Sequence, residues 1–175
     1  MRVVLQIVLL SLVCCVAFAQ QPPPLSKEHE ILKKDVGTWT GTMRIYQGDS
    51  EPIALPIKET SKIFGGGLWV ITDFDAGPFQ GHGQFGYDAA KKKYIGTWID
   101  NTNPFMSVME GDFDEEKQEM VMRFNGIDPA TGNAEQMKSV STMDGDDKRK
   151  FLMYSKKATD TDWVKSFEID YTRAK

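Results

Sequence analysis

Acid–base or metal chemistry in this chain has to start from histidine, and there are two, His29 and His82. His82 lies in Phe79-Gln80-Gly81-His82-Gly83-Gln84, between glycines that let another group approach the backbone closely. Zinc takes three or four N, S or O ligands, and His82 has no cysteine or second histidine near it, so no metal is expected. Two carboxylate pairs stand at strand spacing, Asp73 with Asp75 and Glu110 with Asp112. Each pair shares one strand face, where water normally solvates it. Nucleophilic catalysis lacks its parts, with no G-x-S-x-G elbow and only the two histidines as base. Asp144-Gly145-Asp146-Asp147 has the composition of a calcium loop without its spacing or closing glutamate, and reads as a turn. None of this implies a cofactor. The chain reads as a non-enzyme, with His82 and a carboxylate in a hydrolase-like role as the remaining catalytic alternative.

The densest constellation is Gly86-Tyr-Asp-Ala-Ala-Lys-Lys-Lys-Tyr-Ile-Gly-Thr-Trp-Ile-Asp100. Its polar residues all have turn duties: Asp88 can accept from the turn amides, and the lysines sit in solvent. It is a β-hairpin before it is a site. The remaining chemical signal is apolar. Trp39, Trp69, Trp98, Met43, Met109, Met122, Met137, Met153 and Phe124 fall in strand-like runs, where they either fill a core or line a soft cavity.

The elements that must position these residues follow from punctuation and period. Residues 1–19 read as a cleaved export signal: Arg2, an apolar run from Val3 to Val16, then Ala17-Phe18-Ala19 before Gln20. That apolar run is too short for a comfortable membrane span of about 20 residues. Both cysteines, Cys14 and Cys15, leave with the signal, so the exported protein is expected to have no disulfide and to be periplasmic or secreted from a bacterium. Residues 20–25 form an extended Pro-rich leader, and 26–175 a single domain. With a formal charge of −4 and scattered lysines, nucleic acid is not expected as a partner.

Ser26 caps one short helix through Lys34. From Gly37 on, the pattern has period 2, in about ten short runs separated by turn residues such as Gly65-Gly66, Asp114-Glu115-Glu116-Lys117 and Asp128-Pro129-Ala130-Thr131-Gly132. Short strands without intervening helices make an antiparallel meander, and closure removes its edges. The expected fold is an all-β, up-and-down barrel of about ten strands preceded by one helix. A two-sheet sandwich is the structural alternative.

Parity assigns faces. Trp39 and Met43 share one, as do Tyr94 and Trp98, Met122 and Phe124, and in the last strand Trp163, Phe167, Ile169 and Tyr171. A loop over Asp88–Lys91 pairs Tyr87 with Lys92, His82 with Thr97 and Trp98 with Gly81. His82 then lies on the face opposite Trp98, and the aromatic face is expected to be the inner one.

The blocks E-H-E-I-L at 28–32, G-T-W-T-G at 37–41, G-G-G-L-W-V at 65–70, F-Q-G-H-G at 79–83, the hairpin above, M-E-G-D-F-D at 109–114, D-P-A-T-G at 128–132 and I-D-Y-T-R at 169–173 occur in this order. The succession resembles the bacterial domain-of-unknown-function family 1579 over nearly the whole chain after the leader. The resemblance implies a lipocalin-like, or calycin-like, β-barrel and no established activity. Some small ten-stranded barrels of the nitrobindin kind bind haem through a histidine near the C-terminus. The last strand here has none, a departure that speaks against haem, with His82 the one remaining axial candidate. The expectation is an exported barrel that carries a small apolar or amphiphilic ligand. Trp39, Trp69, Trp98 and Met109 would supply contact area, and His82, Tyr87 and Asp100 an orienting polar group. The alternative is an envelope interaction or structural protein with a filled barrel.

Overall fold

The computed structural model describes residues 23–48, 50–128 and 131–175, so the expected export signal over 1–19 lies outside the described residues. Helix α1 spans Lys27–Lys33, and ten strands follow: β1 Gly37–Ile45, β2 Ile53–Phe64, β3 Trp69–Asp75, β4 Gln80–Asp88, β5 Lys93–Asp100, β6 Asn103–Asp114, β7 Glu119–Ile127, β8 Ala134–Asp144, β9 Lys148–Lys157 and β10 Val164–Arg173. Each strand pairs antiparallel with its neighbours in sequence, and β1 closes on β10. The sheet is therefore an up-and-down barrel, as the spacing of turn residues requires. A short 3-10 turn at Gly65–Gly67 joins β2 to β3, with Gly66 at φ 71°, a left-handed value that costs glycine little. No helix among the described residues is long and apolar enough to cross a membrane.

One end of the barrel is closed by α1. Its start uses His29 where a capping box usually has Glu or Gln: the His29 ring nitrogen Nδ1 accepts from the Ser26 N–H at 3.1 Å. Leu32 is buried and packs with Val70, Tyr94, Met109 and Met122, plugging the opening from within. The exit of the helix is pinned by Arg173 of the last strand, which donates to the Val36 carbonyl at 2.6 Å and the Lys34 carbonyl at 3.0 Å. Arg173 also stacks over Trp39, whose indole N–H donates to the Asp35 carbonyl at 2.8 Å. First and last strands thus hold the helix together, a contact no local pattern could reveal.

Two register details depart from the sequence reading. The β4–β5 loop is Ala89–Lys92, so Asp88 pairs Lys93, Gly83 pairs Trp98 and His82 pairs Ile99. Asp88 Oδ1 accepts from the amides of Ala90 and Lys91, and Lys92 takes φ 55°, which moves the ladder by two residues. A shift of two preserves parity, and the assignment of faces stands. In β10 the parity is broken. A bulge between Lys165 and Phe167 takes Trp163 out of phase with Phe167, Ile169 and Tyr171. Trp163 stands on the outer face, where Lys138 lies 4.7 Å from its ring and 4.6 Å from that of Tyr154. Burial there, reinforced by Arg123, pushes the Lys138 ammonium below its ordinary range.

Candidate functional site: the barrel cavity

The inner face does not close on itself. It surrounds a cavity of about 390 Å³, and every strand contributes to its lining. Most of the wall is soft and apolar, with Phe74, Trp98, Met109, Met122, Phe151 and Ile169 among it. Trp98 lies flat on the β4 wall because Gly81 and Gly83 leave room. A Cβ on Gly81 would stand 2.1 Å from the indole, and one on Gly83 2.8 Å. The glycines around His82 therefore serve the tryptophan behind them.

The sequence-predicted residues separate into three places. Trp98, Asp100 and Met109 line the cavity. Trp39 and Tyr87 are in phase with the inner face but lie beyond the helix end of the void: Trp39 is fully buried, and Tyr87 packs between His29 and Tyr94. Trp69 and His82 face outward. Trp69 alternates with the inward Val70 and covers Gly86, where a Cβ would stand 2.6 Å from its ring. His82 Nδ1 sits 2.7 Å from Asp73 Oδ1 with both side chains exposed, outside the cavity. Strand alternation places His82 outside the wall of the cavity.

The other carboxylates have similarly plain duties. Glu110 and Asp112 pair on the outer face with Lys91 and Lys93. Exposed pairs of this kind contribute little to stability. Asp100 Oδ1 accepts from the amides of Thr102 at 2.9 Å and Asn103 at 3.0 Å, so its role at the mouth is to cap the β5–β6 turn.

Sequence reasoning missed the polar end of the cavity. Arg149 is 7% exposed and donates to Glu59 at 2.6 Å and to Asp35 at 2.7 Å. Tyr171 donates its phenol to the other Glu59 oxygen at 2.8 Å, and the Arg149 guanidinium lies 4.0 Å from the Tyr171 ring centroid. Burial alone would lower the Arg149 pKa, but Glu59 and Asp35 outweigh it and hold the guanidinium firmly charged. Burial, helped by the Glu59 charge, pushes the Tyr171 phenol well above its ordinary range. The available signal was parity: Arg149 is in phase with Phe151 and Met153, and Glu59 with Ile57 and Ser61.

Burial likewise raises the Tyr94 phenol. Both phenols ionise in the unfolded chain near pH 10 but not in the native protein, so the unfolded state binds fewer protons above that pH. Their contribution to stability is complete below about pH 10 and is lost as pH rises further. Alkaline spectrophotometric titration should show Tyr94 and Tyr171 silent until unfolding. Titration of both in the folded protein would contradict this environment.

The wall opens between β6 and β7. Pairing between β6 and β7 runs only from Glu110 with Arg123 to Asp114 with Glu119. Toward the mouth, Asn103–Met109 and Phe124–Ile127 have no partners in each other, although Phe105, Ser107, Phe124 and Gly126 all line the void. Met106, Val108 and Ile127 are exposed along this opening.

A family model described as a protein of unknown function (DUF1579) matches residues 24–173. A search of curated proteins gives no match. Among solved structures, the crystal structure of Rv2717c from M. tuberculosis is 10% identical, covers 87% of this chain and 100% of its own, and has a TM-score of 0.64. At that identity the likeness concerns the fold alone. A DUF3598-family protein of unknown function from Nostoc punctiforme is 6% identical and covers 86% and 100% of the two chains, with a TM-score of 0.28 that carries no argument.

Proposed function

We propose that this chain, which belongs to the DUF1579 family, is an exported binding protein that holds one small, mainly apolar molecule inside its barrel. The carrying observation is the cavity of about 390 Å³ with its predominantly apolar wall. That volume falls in the range of small-molecule sites, and an apolar wall with a few convergent polar groups is their usual make-up. Methionines on several strands let the wall adapt to irregular shapes. The β6–β7 seam supplies a way in that does not require the helix end to open. A solid barrel would leave this volume unexplained.

Export is part of the proposal, supported by the apolar run and Ala17-Phe18-Ala19 at the start of the chain. So is a non-catalytic role: the exposed His82–Asp73 pair stands in an open surface groove apart from the cavity, where water is not excluded.

The test is titration with N-phenyl-1-naphthylamine, whose emission rises in apolar surroundings. A saturable rise at one equivalent, with a co-purifying small molecule found by native mass spectrometry, is the expected result. If the probe shows no saturable binding even after organic extraction of the protein, the barrel is not a carrier.

A further inference from the structure

The cavity has polar groups that the protein leaves without partners. Ser139 and Ser141 follow each other on the inner face of β8, and both line the void. Ser139 is only 6% exposed. In the ladder Ser139 lies between Met122 and Met153, and Ser141 between Met120 and Phe151. Neither hydroxyl makes a hydrogen bond among the described residues, in contrast to Ser61 and Thr72, which bond each other at 2.8 Å. Both hydroxyls face the void, so an apolar molecule filling it strips them of water, and a ligand acceptor or donor placed there removes that cost.

The charge beside these serines decides what kind of group fits. Arg149 is the next inner residue of β9 after Phe151, the partner of Ser141. Its two bound carboxylates, Glu59 and Asp35, outnumber it, so these three lining groups carry a formal excess of one negative charge. Each Arg149 Nη donates to a carboxylate, and its Nε–H is buried without an acceptor, with the Tyr171 and Trp39 rings against the guanidinium. Among the described residues lining the cavity, Arg149 is the one cation, and Glu59 and Asp35 already match its charge. A carboxylate entering here would lose its water and meet net negative charge.

We infer that the ligand has an apolar body and one neutral hydrogen-bonding end, a hydroxyl or carbonyl, which Ser139 and Ser141 hold, and that carboxylate-ended amphiphiles are rejected. This rests on the reading of the cavity as a ligand site.

The experiment uses the full chain loaded with N-phenyl-1-naphthylamine and displaced by 1-decanol or by decanoate at neutral pH. Decanol should displace the probe at a concentration about tenfold or more below that of decanoate. Since any apolar cavity disfavours an ion, the deciding variant is Ser139→Ala/Ser141→Ala. It should weaken decanol about fivefold or more, leave the naphthylamine unchanged, and leave the ligand-free thermal midpoint equal or higher. Decanoate binding as well as decanol overturns the inference. So does a decanol affinity indifferent to the two serines, or a lowered midpoint in their absence, which would make them structural. Failure of the naphthylamine to bind at all sinks the carrier reading itself, whereas its binding without these preferences sinks only the neutral-end inference.

Discussion

Arg149→Met is expected to cost the protein about 3–5 kcal/mol of folding stability, the range for removing one partner of a buried ion pair. The cost comes from Glu59, which is buried as deeply as Arg149 and would be left with only the Tyr171 phenol and a distant Ser61 hydroxyl. Asp35 is partly exposed and can return to water, so it adds less. The double variant Glu59→Met/Arg149→Met should recover most of the loss, because paired removal leaves no uncompensated charge. Urea unfolding of the two variants measures both steps. A single-variant loss below about 1 kcal/mol, or a double variant no better than the single, would mean that Glu59 reaches solvent and that this end of the cavity is wet.

Trp98→Ala should weaken binding of N-phenyl-1-naphthylamine about tenfold or more, while His82→Ala changes it by less than about twofold. The indole is the flat side of the cavity, laid across Gly81 and Gly83, and edge-on to Phe74 with ring centroids 6.2 Å apart. Truncation enlarges the void and removes aromatic contact area, and both act on an apolar ligand. His82 is on the same hairpin, one residue from the glycines that seat Trp98, yet points into solvent toward Asp73. Trp98→Phe should fall between wild type and alanine, which separates lost contact from lost folding. If His82→Ala proved the more damaging change, the assignment of inside and outside would be reversed.

The barrel was legible because its determinants are local. Alternation at period 2 marks each strand, and Gly, Asp and Asn residues with their own turn hydrogen bonds mark where each strand ends. Asp88 and Asp114 are examples, each accepting from the amides two and three residues on. The antiparallel meander followed from the absence of helices between strands, and closure from the exposed edges that an open meander would leave. Even the placement of Trp98 inside and His82 outside was available from parity, since a register error of two residues leaves every face unchanged. Where one residue is inserted, parity fails. The bulge in β10 puts Trp163 outside, and nothing in Asp162-Trp163-Val164-Lys165 announces it.

The sequence by itself determined an antiparallel meander with one short helix and a Met-rich, aromatic face, and favoured the closed barrel over a two-sheet sandwich. Only the tertiary structure decided that the barrel is hollow, that helix α1 stoppers one end, and that β6 and β7 part near the other. It alone brought Asp35, Glu59, Arg149 and Tyr171 together from the α1–β1 connection and three different strands. A void is what remains after all side chains are placed, and a buried ion pair depends on two residues 90 positions apart meeting across it. Neither quantity is written in any window of the chain, because each is a sum over contacts distant in sequence.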